Sequence, residues 1–126
     1  MKYTLGKEKK LKSRKAIENI FSKGKSTYQF PVRAVYFQDF NAIAEIRVGV
    51  SVPKKKFKRA VDRNLIKRRM REAFRLNQHL LEYRGRFHIM FIYGGSEMLS
   101  YPEIENAVKA LLAFLNSTSG VHNGEK

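Results

Sequence analysis

Cysteine and tryptophan are both missing from the 126 residues of this chain. The first absence excludes disulfides, thiolate metal sites and cysteine nucleophiles. Histidine is scarce, with only His79, His88 and His122 present. No two of them have ligand spacing, which argues against zinc chemistry. No apolar run approaches the ~20 residues that cross a bilayer. The basic start MKYTLGKEKK leads into no secretory hydrophobic stretch. Together these absences lead us to expect a soluble, cytoplasmic protein with no membrane partner.

Acidic residues are the next scarcity. There are 11, against 26 lysines and arginines, a formal net charge of +15 with a sequence pI near 10.3. With 43% hydrophobic residues the chain has enough apolar material for one folded domain. Such a field attracts polyanions and destabilises the isolated monomer by self-repulsion. The excess is also localised. Residues 1–25 carry 9 basic and 2 acidic groups, and residues 54–71 carry 10 and 1. Residues 76–126 hold 4 basic groups against 5 acids, a net of −1. Two basic blocks and a neutral remainder imply a directed face.

No repeat or internal linker divides the chain, so a single domain is expected over residues 1–115, followed by a polar, frayed tail at 116–126. Ser13 can cap a helix over 13–23, where Ala16, Ile17, Ile20 and Phe21 recur at helical spacing and Gly24 suits the position after its end. Residues 30–37 are rich in β-branched and aromatic side chains and predict a strand. In residues 45–52, Ile46, Val48, Val50 and Val52 alternate with Glu45, Arg47, Gly49 and Ser51, the pattern of a strand with one buried face. These two strands are expected to pair as a hairpin through residues 38–44. Pro53 and a lysine run lead into a long helix over about 60–80. The continuous apolar run FHIMFIY at 87–93 predicts a strand covered on both faces. Ser100 and Glu103 form a capping box for a last helix, with Ile104, Ala107, Val108, Leu111, Leu112 and Leu115 on its apolar side. The order α-β-β-α-β-α describes a small α/β (α+β) two-layer sandwich with a mixed sheet, its strand–helix–strand unit giving a parallel pair.

The long helix carries two faces. Ile66, Met70, Ala73, Phe74 and Leu81 fall on one side, centred on Met70. Asn64, Arg68, Arg71 and Arg75 fall within about 60° on nearly the opposite side, flanked by Arg63 and Lys67. A solvated helix face usually mixes signs to gain i,i+4 pairs. Here Asp62 and Glu72 stand against Arg59, Arg63, Lys67, Arg68, Arg69, Arg71 and Arg75. That imbalance is a small penalty unless phosphates neutralise it. Arginine supplies a bidentate fork for phosphate oxygens, and Asn64 is short enough to bond a base edge or sugar. A helix-turn-helix DNA reader needs a helix just before its recognition helix. A strand and a lysine loop stand there instead, which favours RNA over DNA.

At these residues the sequence resembles the bacterial ribonuclease P protein family. The stretch RVGVSVPKK (47–55) fits a strand ending V-G-x-S-V-x-K-K, and AVDRNLIKRRMREAFR (60–75) fits a helix containing A-V-x-R-N-x-x-K-R-x-x-R-E. The similarity reaches the first helix (11–25) and the last (99–112). The resemblance implies a basic protein subunit for a catalytic RNA, the two together removing the 5′ leader of precursor tRNA with Mg²⁺ held mainly by the RNA. It implies that Arg59, Arg63, Asn64, Lys67, Arg68, Arg71 and Arg75 meet the catalytic RNA. Ile17, Phe21, Gly49, Ser51, Lys54 and Lys55 would line a cleft for the single-stranded leader. It further implies a left-handed crossover around the long helix, which the sequence pattern does not itself predict. Three positions depart from the family pattern: Leu65 replaces a common arginine, Ile17 a common phenylalanine, and Tyr93 ends the last strand where an arginine is frequent.

The residues also have plainer readings. Phe21 at helical spacing from Ile17 fits ordinary core, and Gly49 and Ser51 can leave room for a groove or permit close packing. Lys54 and Lys55 can simply solubilise a loop. No catalytic constellation is found. Glu97, Glu103 and Glu105 fit capping and dipole roles near the last helix, and His88 fits a hydrogen-bonded strand residue. A structural RNA-binding protein, of ribosomal or assembly type, and a self-sufficient protein nuclease remain the rival readings.

Overall fold

A computed structural model describes residues 10, 11 and 13–118. Its elements are α1 (Arg14–Lys23), β1 (Lys25–Gln29), β2 (Val32–Asp39), β3 (Glu45–Ser51), α2 (Ala60–Asn77), a 3₁₀ turn (Gln78–Leu80), β4 (Arg86–Tyr93) and α3 (Tyr101–Thr118). The four strands form one sheet in the order β1-β2-β4-β3. Pairing of β1 with β2 and of β2 with β4 is antiparallel; β3 and β4 run parallel, joined through α2. Mixed sheet, three helices and parallel pair are as the sequence predicts.

The expected hairpin is not. β2 and β3 are not neighbours, because β4 lies between them. The reason is the composition of β4. Phe87, Ile89, Phe91 and Tyr93 are buried on one face, and His88 and Met90 on the other. A strand with no solvent face belongs in the middle of a covered sheet. Residues 40–44 therefore bridge a strand gap, starting from a turn in which the Asp39 carboxylate accepts the Asn41 N–H at 3.1 Å. The real hairpin is β1–β2, turning at Phe30-Pro31. β1 (KSTYQ) escapes an apolar pattern search because it is a largely exposed edge strand.

One face of the sheet carries the main core. α2 contributes Ile66, Met70, Ala73 and Phe74, and α3 contributes the whole stripe from Ile104 to Leu115, all buried against Val32, Ala34, Tyr36, Ile46, Val48, Ile89 and Phe91. Phe74 meets Phe91 at 6.0 Å between ring centroids, and Phe57 meets Tyr93 edge-on at 5.7 Å. α1 packs on the other face, where Ile20, Leu11, Val35 and Met90 form a smaller cluster with Ala16, Ile17, Phe37 and Ile92 beside it. The N-terminal strand edge helps fix α1, since the Leu11 N–H donates to the Val48 carbonyl at 2.9 Å.

Caps behave largely as the sequence predicts. The Ser13 hydroxyl accepts the Ala16 N–H at 3.2 Å, and the Ser100 N–H and hydroxyl both reach Glu103 Oε1, at 3.1 and 3.0 Å. Gly24 differs in its reason: its backbone is extended (φ −82°), so left-handed geometry is not the requirement. A Cβ there would collide with the carbonyl oxygens of Ile20 and Tyr36, where the end of α1 crosses β2. Gly85 has the positive φ (74°), in the turn before β4. The frayed tail is expected from residue 116, but the first three of its residues are ordered. Residues 116–118 complete α3, with Asn116 Oδ1 accepting the Glu82 N–H at 2.9 Å and Thr118 Oγ1 accepting from Gln38 at 3.2 Å. Residues 119–126 lie outside the described residues.

Gly24→Ala should therefore destabilise the domain by about 1–3 kcal/mol, the usual cost of forcing atoms into a packed site. Denaturant unfolding would measure it; an unchanged midpoint would mean that α1 can lift from β2 at no cost.

Candidate nucleic-acid interface

The route into α2 is built from hydrogen bonds that use basic side chains internally. After Pro53, the Phe57 N–H donates to the Pro53 carbonyl at 3.3 Å, and Phe57 buries its ring beside Tyr93. The Arg63 guanidinium donates to the carbonyls of Phe57 (2.7 Å) and Lys58 (2.9 Å), holding this loop to the first turn of α2. Arg69 reaches the Leu99 carbonyl at 2.6 Å and ties α2 to the loop before α3. Arg75 makes a two-pronged contact with Glu72. That hydrogen bond is the main reason the Glu72 carboxyl titrates below its ordinary value. Arg59, largely exposed, approaches Asp62 at 3.7 Å.

Thus the basic face is divided. Arg63, Arg69 and Arg75 spend donors on the protein. Asn64, Arg68 and Arg71 are exposed on the side opposite buried Met70, and among the described residues no protein acceptor engages them. Lys67 flanks them, half-buried. Arg68 borders two shallow depressions of about 340 and 310 Å³, one shared with Arg59, Val61, Asp62, Asn64 and Leu65, the other with Leu65, Arg69, Glu72 and Tyr101. Leu65 is common to both, an apolar side chain at the border of the basic surface.

The second set of predicted residues is spread over α1, the side of β3 that faces it, and the turn that follows β3. Phe21, on the last turn of α1, is 56% exposed and is not core; Ile17, one turn earlier, is half-buried against the Leu11–Ile20–Val35–Met90 cluster. Strand alternation places Gly49 and Ser51 on this face of β3, and Lys54 and Lys55 are exposed in the turn that follows. Gly49 serves packing: a Cβ would stand 3.0 Å from Met90 Cε and 3.4 Å from Leu11 Cβ. Tyr93 likewise has an internal task. Its hydroxyl donates to the Glu97 carbonyl at 2.6 Å and accepts the Leu99 N–H at 3.1 Å, which pins the loop after β4.

A third cluster was not foreseen. On the other flank of α1 a cavity of about 510 Å³ is lined by Lys10, Lys15, Phe37, Glu45, Arg47, Arg86 and His88, among others. Glu45 is its hub, with His88 Nε2 at 2.8 Å, Arg47 at 3.4 Å and Arg86 at 3.5 Å. His88 is the hydrogen-bonded strand residue that its setting predicts. The sequence signal was present, since Glu45 and Arg47 occupy the polar side of β3 and His88 interrupts an apolar strand. The parallel register that brings them together was not legible. Of the acids near α3, Glu103 caps the helix and Glu105 accepts from Asn77 at 2.9 Å. Among the described residues, no three histidine or acidic side chains gather to hold a metal ion.

Comparison with known proteins bears directly on this arrangement. A family model described as Ribonuclease P matches residues 5–116. The chain belongs to the ribonuclease P protein family. It is 36% identical over 116 residues to the ribonuclease P protein component of Porphyromonas gingivalis, covering 87% of this chain and 85% of that one. The Clostridium kluyveri protein component is 36% identical over 105 residues, covering 82% and 90%. Among solved structures, the RNase P protein of Staphylococcus aureus superposes with a TM-score of 0.72 at 25% identity, covering 86% of this chain and 96% of that one. The protein from Thermotoga maritima gives 0.69 at 26% identity, covering 83% and 96%. The four-stranded mixed sheet and three helices are thus a ribonuclease P protein fold. Among the described residues, no helix is long and apolar enough to cross a membrane.

The Glu45 cluster makes stability depend on pH. The hydrogen bond from His88, followed by the charge of Arg47, holds the Glu45 carboxyl below its ordinary value of 4.5. A carboxyl with a depressed folded-state pKa stabilises the fold above its unfolded pKa and loses that contribution as pH falls through the folded one. Glu45→Gln should therefore lower the melting temperature at neutral pH, and the gap from the parent should close as pH falls below about 4.5. A gap of constant size across that range would show that the carboxylate charge contributes nothing.

Proposed function

We propose that this chain is the protein subunit of a ribonuclease P holoenzyme that docks on its catalytic RNA through the exposed side of α2 and holds the 5′ leader of precursor tRNA on the α1 face of the sheet. The support is family membership joined to one geometric observation: Asn64, Arg68 and Arg71 stand bare on a rigid helix whose opposite side is fully buried. Guanidinium groups on a rigid helix suit phosphate oxygens, because the backbone that carries them is already ordered and each planar fork can bond two oxygens at once. Arg59, Arg63, Lys67 and Arg75 complete the docking surface in this scheme. Arg63 and Arg75 act chiefly by shaping and charging it, since their donors already have partners.

Leader binding is assigned to Ile17, Phe21, Ser51, Lys54 and Lys55, with Gly49 acting by letting Met90 and Leu11 close beneath α1. An exposed aromatic ring and exposed lysines bordering one sheet face are the combination single-stranded nucleic acid uses, stacking for the bases and charge for the backbone. The hydrolysis is assigned to the RNA. Mg²⁺ held there supplies the activated water and steadies the leaving oxygen. The protein neutralises phosphate charge where RNA strands converge, and it positions the leader. Such work belongs where precursor tRNA is processed, in the cytoplasm.

Reconstitution tests the scheme as a whole. Precursor tRNA cleavage should be negligible with the protein alone and should rise at low Mg²⁺ when protein and catalytic RNA are combined. Cleavage by the protein alone would overturn the scheme, and so would a protein that stimulates nothing. Arg68→Ala with Arg71→Ala should weaken binding to the catalytic RNA and reduce the log–log salt slope by about one per lost phosphate contact. Phe21→Ala should cost about 1–3 kcal/mol in affinity for leader-bearing tRNA, with little change in melting temperature.

A further inference from the structure

The register of the sheet aligns a single row of side chains across all four strands. Tyr28 on β1 stands opposite Arg33 on β2, Arg33 opposite Ile92 on β4, and Ile92 opposite Ser51 on β3. Residues directly opposite one another share a face, and this row lies on the face where α1 packs. α1 covers the neighbouring row, in which Val35 and Met90 are buried. The Tyr28–Ser51 row runs beside that covered strip, bordered by Ile17. It begins at the β3 edge, where Lys54 and Lys55 follow, and crosses three strand spacings, roughly 14 Å, to the outer edge of the sheet.

What stands at that outer edge is aromatic and basic. Tyr28 is 43% exposed and Phe30, in the adjoining turn, is 61% exposed. Their rings meet edge-on with centroids 6.5 Å apart. Arg33 lies over the Tyr28 ring at 5.1 Å, and Arg33 is itself exposed. The lysine turn is tied to the same corner. Lys56 Nζ donates to the Gly94 carbonyl at 3.0 Å, and a Cβ on Gly94 would come within 3.0 Å of the Tyr28 ring. Two exposed rings and a stacked guanidinium form a surface with no acidic residue among them, continuous with the lysines of the turn. That composition fits unpaired bases and their phosphates.

We propose that Tyr28, Phe30 and Arg33 form a second stacking platform for single-stranded RNA, engaging leader nucleotides farther from the cleavage site than those held at Ser51, Lys54 and Lys55. This rests on the assignment of the leader to the α1 face. The direction follows from the layers: α2, the RNA-docking helix, packs over β3, whereas α3 packs over β1 and β2. A leader arriving from the docked RNA therefore meets the β3 end of the row first and the β1 edge last.

Leader length separates the two platforms. Holoenzymes carrying Tyr28→Ala with Phe30→Ala, Arg33→Ala, Lys54→Ala with Lys55→Ala, or Phe21→Ala would be titrated with precursor tRNAs whose leaders run from ~2 to ~16 nucleotides, and with mature tRNA. The Tyr28/Phe30 variant should bind mature and short-leader tRNA like the parent and lose about 5- to 100-fold in affinity once the leader passes a threshold length. Lys54→Ala with Lys55→Ala should show its loss at shorter leaders. Tyr28→Phe with Phe30→Trp should retain tight binding, since ring area rather than the hydroxyl carries the effect. If Phe21→Ala weakens leader binding while the Tyr28/Phe30 variant matches the parent at every length, the second platform is refuted and the first stands. A Tyr28/Phe30 loss that appears at shorter leaders than the Lys54/Lys55 loss refutes the direction and with it the proposal. If none of the variants responds to the leader, the leader does not lie on this face and both assignments fall.

Discussion

A strand with no polar face has to be enclosed on every side, and β4 is such a strand. Its position between β2 and β3 determines much of what else the molecule can do. It keeps β2 and β3 from pairing, requires the connection through residues 40–44 to span a gap, and needs cover on both faces of the sheet. α2 and α3 supply that cover on one face, and α1 on the other. The two covers are unequal. A pair of 18-residue helices seals the first face, while the 10-residue α1 covers only part of the second. Two chemically different surfaces result: the polar outside of α2, and a strip of sheet left open beside α1.

Within α2 the arginines divide by what lies within reach, and the division determines what they can do for RNA. Arg63 and Arg69 end on backbone carbonyls in the loops at 57–58 and 99, where neutral acceptors leave the positive charge uncompensated. They fasten loops and still contribute to the field around the helix. Arg75 is matched by the Glu72 carboxylate and contributes little net charge. Exposed ion pairs of this kind add little stability, and screening reduces even that. The placement of the two acids is therefore more informative than their strength. Asp62 and Glu72 answer Arg59 and Arg75 at the two ends of the basic arc. The middle, from Asn64 to Arg71, spans about 10 Å of helix with no counter-charge engaged.

Most of this was legible from residue order, and the failures have specific physical causes. The buried stripes of α2 and α3, the Ser13 and Ser100 caps and the two-sided burial of 87–93 follow from periodicity and local hydrogen bonding, which the chain encodes over short spans. The false hairpin shows where such reasoning ends. Adjacent strands usually pair, and nothing local in 30–52 reveals that a strand forty residues later will take the place between them. β1 was invisible because an exposed edge strand needs no apolar alternation. Losing β1 also hid the partners of Tyr28, and the unread register of the parallel pair hid the Glu45–His88 contact. Among the candidate site residues, α2's were found by angle on a single helix and came out on the predicted side. Gly49 was open to two explanations until the Met90 side chain was placed beneath α1.

The open strip and the basic arc are connected by the turn at 54–58, and that turn is held from both directions. Arg63 grips it from the helix side, Phe57 anchors its ring in the core, and Lys56 reaches across to Gly94 at the end of β4. Two of the three ties use basic side chains on carbonyl oxygens, so the segment that could carry the most self-repulsion is ordered by its own charges. Lys54 and Lys55 are left outward at the junction. A polyanion bound on α2 and a single strand crossing the sheet would both approach this corner, and two like-charged strands that converge repel each other. Lys54 and Lys55, lying between them with no partner among the described residues, would offset that repulsion, so the charge left outward at this junction sets how closely the two can approach.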